Sequence, residues 1–170
     1  MLTEVVGLGA WCDFVTEGEY RHQLEERASL PDEVREEADR RQLEPRPAVW
    51  RPNPDEIEAE IRHFQRGISF RVVEFATLAD GRRLTLDEDR GFGISGPPLA
   101  DLWADLTLER LEADVRSTVL PDNDDTQDEH DWEWLAERLR NSGVQVSPRD
   151  LQGLSYDVAF SERLRARMVG

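Results

Sequence analysis

The apolar positions of this chain fall into patterns that change along its length. From Ile68 to Thr77 the residues are largely β-branched or aromatic, and Leu84 and Leu86 alternate with polar neighbours. Asp80-Gly81 between them is a type I′ turn dipeptide, so residues 68–87 are predicted as a β-hairpin. A third short strand is predicted at Phe92–Ile94. Upstream, Ile57, Ile61 and Phe64 lie on one stripe of a helix over 55–66 closed by Gly67. Downstream, Thr107 is placed to cap a helix carrying Leu108, Leu111, Val115 and Val119, which Pro121 ends. Trp132, Leu135, Ala136 and Leu139 share one face of the next helix, with Gly143 as its C′ residue. Ser147-Pro148-Arg149-Asp150 carries the residues of a helix start: a capping Ser, Pro at the first position and an acid three residues after the cap. From Tyr156 to Met168 the apolar residues sit at even positions and Glu162 interrupts them. That spacing predicts a strand, with a helix from Ser161 onward as the competing reading.

The N-terminal stretch is patterned otherwise. It opens on Val5, Val6, Leu8, Trp11, Phe14 and Val15, then turns highly charged. Residues 31–43 favour a mostly solvated helix, with Glu36–Arg40 and Glu37–Arg41 at i,i+4 spacing. Pro45, Pro47, Pro52 and Pro54 around Trp50 make 44–54 an extended connector, because proline fixes φ and donates no N–H. The predicted organisation is an N-terminal helical and extended arm, 1–54, and a core domain, 55–170, as one compact unit. The fold class is α+β: a small antiparallel sheet, formed by the 68–87 hairpin and one or two further strands, with helices packed on it.

Charge adds what periodicity does not. Thirty-seven acidic residues face twenty-one basic ones, all Arg, for a formal net charge of −16. Such a surface repels phosphate backbones and anionic membranes and attracts basic proteins. Nucleic acid and membranes are therefore not expected partners. Cys12 is the single cysteine, so no disulfide forms within the chain; with no signal peptide or long apolar run evident, a soluble cytoplasmic protein is expected.

Candidate chemistry is sparse. Gly91-Phe92-Gly93-Ile94-Ser95-Gly96 matches G-x-G-x-x-G by letter, but Pro97-Pro98 follows where a helix N-terminus should receive the phosphate, so it reads as a strand end. Residues 122–133 place oxygen ligands at EF-hand positions 1, 3, 5, 7 and 12. They carry Gln127 in place of the glycine of the sharp turn and Glu129 in place of an apolar residue, and no metal is assigned. His22, His63 and His130 are scattered, Glu60–His63 is a two-residue pair on one helix face, and Cys12 lies among apolar residues. No catalytic residue and no cofactor are assigned.

The remaining signal is a surface. Between Asp101 and Glu137 there are thirteen acidic residues and two Arg, with Trp103, Trp132 and Trp134 among them. Trp132 shares the apolar face with Leu135, whereas Trp134 lies about 200° around the helix from it. Asp122, Asp124, Asp125, Asp128, Glu129, Asp131, Glu133, Trp134 and Glu137 are the candidate partner-binding residues: charges to steer a basic protein and an aromatic anchor to hold it. The expected function is a non-enzymatic inhibitor or immunity-type protein that neutralises a basic partner such as a nuclease toxin. The alternatives are an enzyme using carboxylate acid–base chemistry and a structural or regulatory subunit. No oligomeric state follows from the sequence.

Overall fold

A computed structural model describes residues 4–30, 52–96, 99–120 and 132–169. In chain order, the elements are β1 (Val5–Phe14), α1 (Glu17–Ser29), α2 (Pro54–Phe64), β2 (Gly67–Leu78), β3 (Arg83–Ser95), α3 (Leu99–Ala104), α4 (Leu108–Val119), α5 (Trp132–Asn141), α6 (Pro148–Gln152), β4 (Tyr156–Phe160) and α7 (Glu162–Val169). Among these residues the strands form one four-stranded sheet in the order β3-β2-β1-β4. β1–β2 and β2–β3 are antiparallel, and β4 runs parallel to β1, so the sheet is mixed and mostly antiparallel. The α+β class holds. The predicted 31–43 helix and the 44–51 part of the connector lie outside the described residues; Pro54 is the first residue of α2, with Asn53 as its cap.

The 68–87 hairpin is present, with two corrections. The predicted Phe92–Ile94 strand is the continuation of β3, whose Phe92 and Ile94 pair with Phe70 and Ile68. Alternation fails at Asp87-Glu88-Asp89-Arg90 because β3 is irregular there, with register shifts on both sides of the Glu74–Asp87 pair. Each shift is a bulge that inserts a residue and bends the strand. The turn is not type I′: Gly81 has φ +84 and no non-glycine residue among those described has positive φ. Gly81 N–H donates to the Leu78 carbonyl and Leu78 N–H to the Arg82 carbonyl, both at 2.8 Å, which makes a three-residue loop closed by a left-handed glycine.

One face of the sheet carries the main core. Ala10, Cys12, Phe70 and Val72 pack with Leu111, Val115 and Val119 of α4, while Leu8, Ala76, Leu78 and Leu86 pack with Trp132, Leu135, Ala136 and Leu139 of α5. Leu24, Ile57 and Ile61 form a separate cluster between α1 and α2, with Tyr20 stacked on Phe64 at 4.6 Å. On the other face β1 comes very close to its neighbours at Gly9. A Cβ there would stand 2.6 Å from the Asp157 carbonyl oxygen and 2.6 Å from the Phe75 ring, over which the Arg83 guanidinium lies at 4.3 Å.

The helix ends follow the predicted caps. Thr107 accepts from Arg110 N–H, and Ser147 and Asp150 form a reciprocal capping box. After α5, Val144 N–H reaches the Leu139 carbonyl and Gly143 N–H the Arg140 carbonyl, the two bonds of a Schellman motif, with Gly143 at φ +83. A side chain at that φ is strained, so Gly143→Ala should cost about 1 kcal/mol, read as a lower urea midpoint at unchanged slope. The C-terminal alternation divides: β4 stops at Phe160, and Ser161 accepts from Leu164 N–H to start α7.

Candidate functional site

The predicted binding surface is described only in part. Asp122, Asp124, Asp125, Asp128, Glu129 and Asp131 lie outside the described residues, as does most of the EF-hand-like stretch. Glu133, Trp134 and Glu137 are all on α5, held to the core by Leu135, Ala136 and Leu139. Glu133 and Glu137 are exposed, and Glu133 is ion-paired with Arg140. Trp134 is half-buried: it packs against the α5 side of the core, and the Arg138 guanidinium sits 4.9 Å from its ring centre. Trp103 packs edge-on to Phe14 at 5.4 Å and so belongs to the sheet side of the core.

A second constellation escaped the sequence reading. Glu74, in the middle of β2, is completely buried. It opposes Ala10 on β1 and Asp87 on β3, between the α4 and α5 halves of the core. One carboxylate oxygen accepts from the Tyr156 hydroxyl at 3.3 Å. The other, Oε2, has no hydrogen-bond partner among the described residues and lies 3.9 Å from Arg90 Nε. Arg90 is engaged elsewhere: Nε donates to Asp87 Oδ2 at 3.0 Å and Nη1 to the Thr118 carbonyl at 3.1 Å. Burial pushes the Glu74 carboxyl up to about 7, opposed by Arg90 and the Tyr156 hydrogen bond and reinforced by Asp87. Burial and the neighbouring Glu74 raise the Tyr156 hydroxyl as well. The signal for Glu74 was legible. Ile68, Phe70, Val72, Glu74, Ala76 and Leu78 occupy the same parity on β2, and an acid among inward positions is a buried acid.

Another buried carboxylate ties the parallel strands to the helices that follow them. Asp13 accepts from the Ser161 hydroxyl and from Arg163 Nε at 2.6 Å. Arg163 also donates to Glu19 at 2.9 Å and to the Phe14 carbonyl at 2.6 Å. The Arg163 bond is the main reason the Glu19 carboxyl is pulled down to about 2, with the capping bonds from Thr16 adding to it. Every oxygen and guanidinium nitrogen in this cluster has a partner, which makes it a brace.

The other sequence candidates are placed plainly. Cys12 is buried on β1 and its thiol is pushed up to about 12 by burial, and further by Asp13, which removes it as a nucleophile at neutral pH. His22 is exposed beside Glu26, and His63 is exposed on α2, where Glu60 accepts from Tyr20. Gly91–Ser95 of the glycine motif lies within β3, paired with β2. Among the described residues no group of His, Cys, Asp and Glu is placed to hold a metal ion, and no helix is long and apolar enough to cross a membrane. Comparison with known protein families, curated proteins and solved structures finds no match to this chain.

Proposed function

We propose that this chain is a non-enzymatic acidic binding protein, an inhibitor or immunity-type protein that neutralises a basic protein partner such as a nuclease toxin. The observation that carries the reading is the charge: thirteen acidic residues against two Arg between 101 and 137, in a chain of net charge −16. Clustered carboxylates complement the cationic groove with which a nuclease holds nucleic acid, and they steer such a protein toward encounter. The geometry of α5 lends support. Its apolar face fixes the helix to the core, so Glu133 and Glu137 are presented from a rigid element and cost little entropy when a partner binds. The carboxylate-enzyme alternative needs a perturbed acid that substrate can reach. Glu74 is perturbed and sealed beneath α4 and α5, so it does not serve that alternative.

The test is kinetic. A partner recovered from the native host should be basic, and its association rate should fall at least about tenfold between low and physiological salt, where the screening length is about 8 Å. Neutralising Asp124 and Asp125 to Asn, or Glu133 and Glu137 to Gln, should slow association at low salt with little change in dissociation. Trp134→Ala should instead speed dissociation. An acidic partner, or association indifferent to these charges, rejects the reading.

A further inference from the structure

We propose that Glu74, Asp87, Arg90 and Tyr156 form a proton-controlled latch beneath α4 and α5. Gain or loss of the Glu74 proton decides whether Arg90 stays on Asp87 and the end of α4 or is drawn to Glu74. This is independent of the binding function above and rests on three features of the cluster.

The first is shared charge. Among the described residues, the carboxyl groups of Glu74 and Asp87, opposed in register, both lie beside the Arg90 guanidinium. The arrangement seen, with Arg90 bonded to Asp87 at 3.0 Å and only 3.9 Å from the orphan Oε2 of Glu74, suits a neutral Glu74 beside a balanced Asp87–Arg90 pair. Loss of the proton leaves a second negative charge with no room to hydrate, and the nearest relief is the Arg90 Nε.

The second is freedom to move. The ladder between β2 and β3 is interrupted on both sides of the Glu74–Asp87 pair, so this part of β3 is not held by a continuous run of backbone bonds. The third is linkage. Arg90 donates to the Thr118 carbonyl in the last turn of α4, so a shift of its guanidinium is felt at that helix end.

The described residues packed around Glu74 are as follows. β1 contributes Ala10 opposite Glu74 and, two pairs further, the buried Cys12, whose thiol stays neutral. β4 contributes the Tyr156 hydroxyl. α4 contributes Arg116, which is bonded to its own Glu112 at 2.8 Å, and α5 faces the sheet with Leu135, Ala136 and Leu139. Because burial holds the Glu74 carboxyl near 7, the change falls between mildly acidic and mildly basic conditions.

The experiment is an NMR titration of the whole chain from pH 5 to 9. It follows the Glu74 side-chain carbon, Arg90 Nε and the amides of Val119 and Leu120. All should shift with one shared midpoint near 7, and Glu74→Gln should abolish the transition at Arg90 and at the end of α4. Arg90→Gln, as a second variant, should raise the Glu74 midpoint by about one pH unit or more, the direction expected when an adjacent cation is removed. The latch is refuted if Glu74 titrates while Arg90 and the α4 amides stay still, or if Glu74 loses its proton below pH 5.5. Should Glu74→Gln fail to fold, the titration of the unaltered chain still decides between these outcomes.

Discussion

Glu74→Gln will stabilise this protein by about 2 kcal/mol at pH 8 and leave it nearly unchanged at pH 4.5. The Glu74 carboxyl is raised from its ordinary 4.5 to about 7 in the folded chain. Between those values the folded state keeps a proton that the unfolded state has released, so stability falls as pH rises through that window and is level above it. At about 1.4 kcal/mol per unit, the full shift corresponds to roughly 3 kcal/mol, an upper bound for a buried group that can relax. Gln keeps an acceptor for the Tyr156 hydroxyl and never carries the charge. Denaturant titrations of both proteins at the two pH values check this; an equal effect at both would mean that charge burial is not the cause. Glu19 acts with the opposite sign. Its carboxyl is held near 2 by Arg163, and the stability this supplies is lost as pH drops below about 4.5. Together the two groups place the stability maximum on the acidic side of neutrality.

Gly9→Ala is expected to cost about 2–3 kcal/mol, the scale of overpacking in a close-fitted interior. Its new methyl group would lie 2.6 Å from a backbone oxygen of β4 and 2.6 Å from the Phe75 ring. The ring can tilt, but the Asp157 carbonyl cannot withdraw without parting β4 from β1, since Leu8, Gly9, Ala10, Trp11 and Cys12 all lie in register with that strand. Thermal melts should show the loss. Hydrogen exchange should locate it, with protection falling most across residues 156–160 and little in the β2–β3 hairpin. Phe75→Leu in the same chain should restore only part of the stability, because it relieves one of the two contacts. Full restoration would show that the β4 backbone is not the obstacle.

The elements that were legible in the sequence are those decided by near neighbours. The hairpin, α2, α4 and α5 announce themselves through period and caps, and the caps at Thr107, Ser147 and Gly143 all form. β1 was harder to read because it lies inside the sheet with partners on both edges. It therefore shows a run of small and apolar residues in place of alternation. β3 looked like two strands because its four charged residues fall where it bulges. Glu74 is hidden in the composition of its stretch, which is that of any strand; the parity of its position carries the information. For the predicted binding surface, helical spacing placed Glu133, Trp134 and Glu137 on α5. Which side of Trp134 meets the core depended on how α5 docks, and spacing along one helix does not contain that.

The pairing of β1 with β4 sets an order on how the chain can be made. β1 leaves a ribosome before β2 and β3 and can join them, yet the strand for its other edge comes about 150 positions later; the brace between Asp13 and Ser161 spans 148. At roughly 5–20 residues per second, the wait after β3 is completed lasts several seconds. During it the backbone of Leu8–Cys12 presents unpaired donors and acceptors along an apolar edge, a template for any other extended strand. Over that interval the edge is open to pairing with another extended strand, and the arrival of β4 closes it.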